Sequence, residues 1–264
     1  MFTLNELVQV ESLQEAYETL TKRRNNVIIG GSAFLRMGNK RIGTGIDLSN
    51  LGLNYIKEDE NYVEIGAMTT FRDLETSEII NKYFSGVLSN SVKDIIGVQF
   101  RNVVTVGGSV FSKYGFSDLI VALLSLETEV ELFNAKRISL NEFLSNDYEK
   151  DLLVRLFIKK NNSRAIYNSM RNSRSDYAVL NVSVSINEKN FKICVGARPQ
   201  RAVVARNASE FLSNNELNEV NIEKASLMAS EELSFGSNIR GSKEYRKAIC
   251  KSLVKKSLKE VSAC

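Results

Sequence analysis

Apolar residues recur along the chain at two spacings, and each spacing predicts one kind of element. Helical spacing after a capping-box signal at Ser12 predicts a helix to about Lys22. The same spacing predicts further helices at 71–80, 117–126 and 242–261. Apolar runs and strict alternation predict strands at 27–29, 46–48, 62–67, 103–105, 129–133, 152–158, 165–170, 177–186 and 191–197. This order of elements indicates an α+β protein.

A polar stretch at 146–150 predicts a domain boundary. We expect an N-terminal domain over 1–155, divided near residues 50–55, and a C-terminal domain over 156–264 in which strands precede helices. In the predicted strand at 177–186, valine and isoleucine alternate with serine. One face of that strand is therefore expected to be solvated or packed against a less apolar surface.

The composition removes several classes of function. The 264 residues include no histidine, which is the commonest metal ligand and general base. Cys194, Cys250 and Cys264 are widely separated, so they supply neither a zinc site nor the ligands of an iron–sulfur cluster. We therefore predict no metal site and no catalytic side chain, and any redox chemistry has to come from a bound cofactor.

Charge and hydropathy exclude two kinds of partner. The net charge is only +4, with 35 basic residues interspersed among 31 acidic ones, which disfavours nucleic-acid binding. No apolar run approaches the roughly 20 residues that span a bilayer. The first residues also lack a signal-peptide pattern. Together with the sparse cysteines, these features favour a cytoplasmic location.

The sequence Gly-Gly-Ser occurs twice, at 30–32 and at 107–109, each time after a predicted short strand. Glycine permits a positive φ and a close approach to a ligand, because it has no Cβ. Consecutive backbone N–H groups can then bind phosphate oxygens, and the serine adds a hydroxyl donor. Neither segment is a GxGxxG fingerprint or a P-loop. We interpret the pair as a diphosphate site held between two loops.

Several further segments give a more specific resemblance when they are taken in order. They are IIGGS at 28–32, EIGAMTT at 64–70, RNVVTVGGS at 101–109, SDL at 117–119, RSDYAV at 174–179 and IRGSKEYR at 239–246. Together they resemble the FAD-binding subunits of molybdenum hydroxylases, the flavoprotein family of xanthine dehydrogenase and carbon monoxide dehydrogenase. The resemblance covers essentially the whole chain.

The resemblance implies a vanillyl-alcohol-oxidase (PCMH)-type FAD-binding fold followed by a carbon monoxide dehydrogenase flavoprotein C-terminal-like domain. It also implies FAD as the cofactor, with its diphosphate on the two glycine segments. Asp118 matches a family aspartate near the ribose, although it can equally cap the helix that follows it. The residues implied to contact FAD are Ile28, Ile29, Gly30, Gly31, Ser32, Ala33, Phe34, Leu35, Ile95, Val104, Thr105, Gly107, Gly108, Ser109, Asp118 and Leu153.

The function implied by the resemblance is electron transfer. FAD would receive electrons from 2Fe-2S clusters on a small subunit and pass them to NAD or another acceptor, while a large molybdopterin subunit hydroxylates the substrate. Two alternatives stay open: a stand-alone FAD oxidoreductase, and a scaffold subunit that has lost FAD. Ala33 and the segment 113–116 depart from the family pattern, and they support the scaffold interpretation.

Other residues near these motifs have two interpretations. Arg101 either contacts phosphate or is structural, and the structural role is favoured. Arg174 and Asp176 either pair with each other or order a turn. Tyr114 and Phe116 either shield the flavin ring or pack in a core. Cys194 is interpreted as a small buried apolar residue.

Overall fold

The structure is a computed structural model that describes residues 2–148 and 150–263. The strands are β1 (Thr3–Gln9), β2 (Val27–Ile29), β3 (Arg41–Asp47), β4 (Ile56–Glu58), β5 (Tyr62–Gly66), β6 (Thr128–Leu132), β7 (Lys136–Ser139), β8 (Leu153–Lys159), β9 (Arg164–Arg171), β10 (Ala178–Asn187), β11 (Asn190–Gly196) and β12 (Val203–Val204). The α-helices are α1 (Leu13–Lys22), α2 (Phe71–Thr76), α3 (Glu78–Lys82), α4 (Val87–Val92), α5 (Val98–Arg101), α6 (Val106–Phe111), α7 (Asp118–Ser125), α8 (Leu140–Ser145), α9 (Arg206–Ser213), α10 (Glu219–Glu232) and α11 (Lys243–Ala263).

The described strands form three sheets. A parallel sheet has the order β1-β3-β2, and a five-stranded antiparallel sheet has the order β4-β5-β8-β6-β7. A four-stranded antiparallel sheet has the order β12-β11-β10-β9. The expected α+β class is confirmed. Strand β8 stays in the five-stranded sheet as far as Lys159, and the next strand belongs to the four-stranded sheet.

Seven of the described α-helices begin at a residue whose side chain caps the first turn. Ser12 accepts a hydrogen bond from the N–H of Glu15 at 3.1 Å, so the predicted first helix is confirmed as α1. The single helix predicted at 71–80 is wrong, because the chain forms α2 and α3 there. Ser77 is extended and its hydroxyl accepts the N–H of Ile80 at 3.3 Å, which ends one helix and begins the next.

The strand predicted at 103–105 is also wrong. The N–H groups of Val103 and Val104 both donate to the carbonyl of Phe100 at 3.1 Å, so the chain turns here. Thr105 makes only an isolated bridge to Thr70 and then begins helix α6 as its N-cap. The second glycine pair therefore lies in the first turn of a helix.

The four-stranded sheet is covered on both faces. Helices α9 and α11 contact one face, where the valines of β10 join an apolar cluster. Helix α7 contacts the other face, and there Ser183 Oγ lies 2.8 Å from Ser125 Oγ. Ser185 Oγ donates to the carbonyl of Ser125 at 2.5 Å. The serine face is thus buried against a less apolar surface, as one of the two sequence alternatives stated.

Helix α11 is 21 residues long, but basic and acidic side chains recur along its whole length. Among residues 2–148 and 150–263, the structure contains no helix with the length and apolar character needed to cross a membrane.

Candidate functional site

A cavity of about 300 Å³ opens where four segments meet. These segments are the loop after β2, the first turn of α6, the connection from α6 to α7, and the turn between β9 and β10. Thirteen of the residues expected to contact FAD line it: Ile28, Gly30, Gly31, Ser32, Ala33, Phe34, Leu35, Ile95, Val104, Thr105, Gly108, Ser109 and Asp118. The structure therefore brings both glycine segments to one site.

Three expected contact residues lie outside the cavity lining. Ile29 pairs with Asp47 in the parallel sheet, and Leu153 is buried opposite Leu132 in the five-stranded sheet. Gly107 packs behind the cavity, where an added Cβ would lie 2.7 Å from the Cβ of Ala67. These three residues make packing contacts in this structure, and their contact with FAD stays a prediction.

The loop that follows β2, residues 30–34, presents unused backbone donors. Its five N–H groups donate to no acceptor within the described residues. Ser32 adopts a φ of 53°, and its hydroxyl donates to the carbonyl of Gly30 at 3.2 Å. Successive N–H groups in a turn that includes a left-handed residue form an anion-binding concavity. This loop fits a diphosphate.

The glycines of this loop are required by close packing between loops. An added Cβ on Gly31 would lie 1.3 Å from the carbonyl oxygen of Val103, and one on Gly30 would lie 2.8 Å from Thr105 Oγ1. Neither glycine has a positive φ, so that part of the sequence argument is wrong here. The left-handed residue of the loop is Ser32 instead.

The second glycine segment uses its N–H groups internally. The N–H of Gly107 donates to the carbonyl of Ala67 at 2.8 Å, and the N–H of Gly108 donates to Thr105 Oγ1 at 3.2 Å. The N–H of Ser109 donates to the carbonyl of Thr105 at 3.0 Å. The N–H groups of this segment are therefore already bonded within the chain, and its contact with a diphosphate stays a prediction. This segment contributes hydroxyl groups and a surface without side chains.

Asp118 connects the cavity wall to the four-stranded sheet. Its carboxylate accepts hydrogen bonds from Asn181 Nδ2 at 2.7 Å and from Arg171 Nη2 at 2.9 Å, and also from the hydroxyl of Tyr167. Burial, followed by the charge of Asp118, raises the pKa of Tyr167 well above its ordinary value, so this hydroxyl keeps its proton. Helix capping is provided by Ser117. The cap interpretation of Asp118 is therefore wrong, and its carboxylate remains in the cavity wall.

Arg101 is structural, as the sequence interpretation favoured. Its guanidinium is buried and binds Glu75 through Nε at 2.9 Å and Nη2 at 3.2 Å. Its Nη1 donates to the carbonyl of Ile95 at 3.0 Å, which holds an apolar part of the cavity wall.

Arg174 and Asp176 do not pair with each other. Arg174 pairs with Asp94 at 3.3 Å, and Asp176 pairs with Arg240 at 3.3 Å. The carbonyl of Asp176 also accepts a hydrogen bond from Arg171 Nη1 at 2.5 Å, so these residues order the turn before β10.

Two basic residues of the cavity were missed by the sequence reasoning. Arg171 is largely buried and lines the wall beside Asp118. Lys40 is exposed at the mouth and makes no ion pair in the part of the chain that the structure describes. Arg171 is neutralised by its ion pair with Asp118, and Asp176 also lines the cavity, so the charged side chains of the lining balance and the backbone N–H groups of the loop at 30–34 are the main donors for an anionic ligand. Arg171 precedes the RSDYAV segment by three residues, which was the only signal available for it.

The two thiols in the described part of the chain, Cys194 and Cys250, lie outside the cavity lining. Cys194 is fully buried in β11, and burial raises its pKa to about 12. Burial also raises the pKa of Cys250 to about 12. Both side chains act as small apolar groups, as predicted for Cys194.

Comparison with known proteins gives two family matches. The family described as "FAD binding domain in molybdopterin dehydrogenase" matches residues 2–160. The family described as "CO dehydrogenase flavoprotein C-terminal domain" matches residues 165–261.

Individual relatives cover nearly the full length of the chain. The glyceraldehyde dehydrogenase medium chain of Sulfolobus acidocaldarius is 25% identical, with 97% of each chain covered. The nicotine 6-hydroxylase medium subunit of Paenarthrobacter nicotinovorans is 24% identical, with 96% of this chain and 95% of that one covered. In fold, the chain is similar to carbon monoxide dehydrogenase from Hydrogenophaga pseudoflava, with a TM-score of 0.91, 20% identity and coverage of 100% and 99%.

Proposed function

Because the chain belongs to the family of FAD-binding domains of molybdopterin dehydrogenases, we propose that it transfers electrons through FAD between the other subunits of such a complex and a final acceptor. The cofactor is FAD, and the protein is an FAD-binding medium subunit of an oxidoreductase. Our proposal adds the route, from 2Fe-2S clusters to FAD and on to NAD or another acceptor.

The observation that carries the proposal is the loop at 30–34, with five N–H groups that have no acceptor in the described chain. It stands beside a cavity wall that also presents Asp118, Arg171 and hydroxyl groups. The loop would bind the diphosphate and Asp118 would accept from a ribose hydroxyl, while the apolar wall excludes water. When bound, FAD supplies the capacity to accept and release electrons.

The proposed partners follow from what the chain lacks. Its cysteines cannot ligate a cluster, so the 2Fe-2S centres would lie on a small subunit. Substrate hydroxylation would take place on a large molybdopterin subunit. The names of the relatives, "medium chain" and "medium subunit", support an assembly with a smaller and a larger companion. We place this assembly in the cytoplasm.

We also propose a two-domain organisation in which residues 1–155 bind FAD and residues 156–264 form the second domain, with a further division near 50–55. The change of sheet after β8 supports a junction close to this point. Asp118 and Arg171 would then lie on opposite sides of the junction and hold the two domains around the cofactor.

The test is a visible absorbance spectrum of the purified chain after FAD addition and desalting. We expect a retained flavin band that bleaches with dithionite, and no hydroxylation of a purine or an aldehyde by the chain alone. Reconstitution with cluster and molybdopterin subunits should then allow substrate to reduce NAD or an artificial acceptor. Substrate hydroxylation by the isolated chain, or a reconstituted complex whose flavin stays oxidised, would contradict the proposal.

A further inference from the structure

The chain between Glu18 and Asp47 carries an unbalanced positive charge. This stretch contains no carboxylate and six basic residues: Lys22, Arg23, Arg24, Arg36, Lys40 and Arg41. The whole chain has a net charge of only +4, so the rest of the chain has a net charge of −2. All six basic residues are exposed, and none makes an ion pair with the described residues. The excess charge therefore faces solvent.

The fold brings five of these cations to one end of the three-stranded parallel sheet, where they form what we call the basic surface: Lys22, Arg23, Arg24, Lys40 and Arg41. Residues 22–24 lead from α1 toward β2, and residues 40–41 lead into β3. Because β2 and β3 are parallel, both segments lie where the strands begin. The N–H of Gly43 donates to the carbonyl of Asn25 at 3.1 Å and holds the segments side by side.

The ammonium group of Lys150 adds a further positive charge beside the basic surface. Its Nζ donates at 3.0–3.3 Å to four backbone carbonyls, those of Leu20, Arg23, Arg24 and Asn26. These bonds fix the backbone that carries the two arginine side chains. Glu18 lies one turn before Lys22, but its carboxylate accepts from Gln14 Nε2 at 2.6 Å. The surface therefore stays positive within the described chain.

The basic surface begins at the mouth of the cavity. Lys40 lines the cavity, and residues 35–40 connect it to the loop at 30–34. The other four cations of the surface lie outside the cavity lining, so they do not surround a space for a small anion. An exposed group of cations next to the cavity fits the face of a macromolecule better than a nucleotide.

The composition of this stretch separates the kinds of macromolecule. Met37 is the only large apolar side chain exposed in residues 19–46, all of which are described. Permanent subunit interfaces have apolar cores with few charges, whereas transient electron-transfer encounters are small and guided by opposite charges. The only aromatic residue of the stretch, Phe34, is half-buried in the cavity wall, so the cations have no exposed rings beside them for base stacking.

We propose that the basic surface is the docking site of an acidic redox protein that serves as the final electron acceptor. Docking there brings the acceptor to the mouth of the cavity, and electrons tunnel only over short distances. Two acceptor molecules each take one electron from fully reduced FAD, and its two protons pass to solvent. This inference rests on the proposed electron-transfer function and specifies its acceptor as a protein with an acidic face.

The test uses the full-length chain loaded with FAD, and a plant-type 2Fe-2S ferredoxin as the acidic probe. Arg23→Glu/Arg24→Glu reverses two charges of the basic surface and keeps the backbone carbonyls that bind Lys150. Lys243→Glu/Lys247→Glu is the matched control, because it changes the net charge equally at two exposed lysines of α11. The readouts are the Kd for oxidised ferredoxin at low and at physiological ionic strength, and the rate at which pre-reduced ferredoxin reduces the flavin.

We expect wild type to bind ferredoxin with a Kd that rises steeply with salt, because exposed charges are screened. Arg23→Glu/Arg24→Glu should raise the Kd at least about tenfold at low ionic strength, flatten its salt dependence and slow flavin reduction by a similar factor. The α11 control should stay within about twofold of wild type in both readouts. Both variants should bind FAD as wild type does, since neither changes a residue of the cavity lining.

Several results would overturn the docking site. Equal weakening in both variants would show a dependence on net charge alone, and a wild-type chain that does not bind ferredoxin at low ionic strength would remove the site. Tighter binding of single-stranded DNA, lost in Arg23→Glu/Arg24→Glu, would assign the surface to nucleic acid. A chain that retains no FAD but still binds ferredoxin through this surface would overturn the proposed function and the acceptor role, while the docking surface would stand.

Discussion

The two glycine segments have the same three-residue sequence, and the structure uses them differently. In the loop at 30–34 the backbone N–H groups point to no acceptor in the described chain, so they are available to a ligand. At Gly107 and Gly108 the N–H groups are consumed by Ala67 and Thr105. One segment thus presents donors, and the other builds the wall against which the first segment lies.

The glycines themselves are used in the same way in both segments. Gly31 and Gly107 each approach a backbone carbonyl, that of Val103 and that of Ala67. In each pair the other glycine lies close to Thr105 Oγ1. The comparison shows that each Gly-Gly pair occurs where two chain segments pack too closely for a Cβ atom. Its N–H groups are free for phosphate only where no helix or neighbouring strand uses them.

The largest expected effect comes from Gly31→Ala. Its Cβ would overlap the carbonyl of Val103, and backbone on both sides has to move, so we expect unfolding free energy to fall by about 3 kcal/mol and FAD binding to be lost. Gly30→Ala is the control, because the only close neighbour of its Cβ is a threonine hydroxyl. Denaturant unfolding and FAD titration measure both effects. Equal behaviour of the two variants would contradict the packing account.

The next largest effect concerns the ion pair between Glu75 and Arg101, which precedes the turn that leads into the second glycine segment. Glu75→Gln leaves the buried guanidinium of Arg101 without its counter-charge, so we expect a loss of about 2 kcal/mol at neutral pH. Glu129→Gln is the control, because its pair with Arg137 is more exposed, and we expect it to cost less than about 1 kcal/mol. The measurement is denaturant unfolding.

The pH dependence of the Glu75 effect has a defined sign. Burial acts to raise the pKa of Glu75, but hydrogen bonds and charge from Arg101 and Arg72 outweigh it, so the folded pKa lies below the ordinary value. The pair therefore stabilises the fold fully above the unfolded pKa of about 4.3, and this contribution is lost as the pH falls through the folded pKa. The difference between wild type and Glu75→Gln should shrink below about pH 4. If the difference in unfolding free energy between wild type and Glu75→Gln grew below about pH 4, it would contradict the lowered pKa of Glu75.

The smallest expected effect comes from removing the side-chain acceptor of the Gly108 N–H in the second glycine segment. Thr105→Val removes the oxygen that accepts the N–H of Gly108, so we expect a loss of about 1 kcal/mol in unfolding free energy. Thr105→Ser keeps that oxygen and should retain most of the stability. A Thr105→Val protein as stable as wild type would show that this N–H finds another acceptor, and the contrast between the two segments would weaken.

Long periodic elements of this fold were predictable from sequence. Helix α1 and strands β9 to β11 were found because their spacing and caps are local signals. The strand expected at 103–105 was wrong because the β-branched residues there are overruled by two hydrogen bonds to Phe100 and by the capping role of Thr105. The break at Ser77 was missed because apolar spacing continues across it.

The candidate site was predictable in part. Motif order led to the lining residues of both glycine segments, but spacing could not tell which N–H groups were already bonded. Arg171 was missed because its interaction with Asp118 joins residues 53 positions apart. The sequence analysis considered Tyr114 and Phe116, but it did not predict that Phe34 and Tyr177 contact them. Such contacts arise from tertiary packing and have no local signature.

The most direct test of the contrast between the segments is a two-dimensional amide NMR spectrum of the isotope-labelled protein, recorded during titration with FAD. Our account predicts downfield shifts of the Gly30, Gly31 and Ser32 amide protons as they bind the diphosphate. The amide protons of Gly107 and Gly108 should keep their hydrogen-bonded shifts. The reverse pattern, or equal downfield shifts at both segments, would contradict the account.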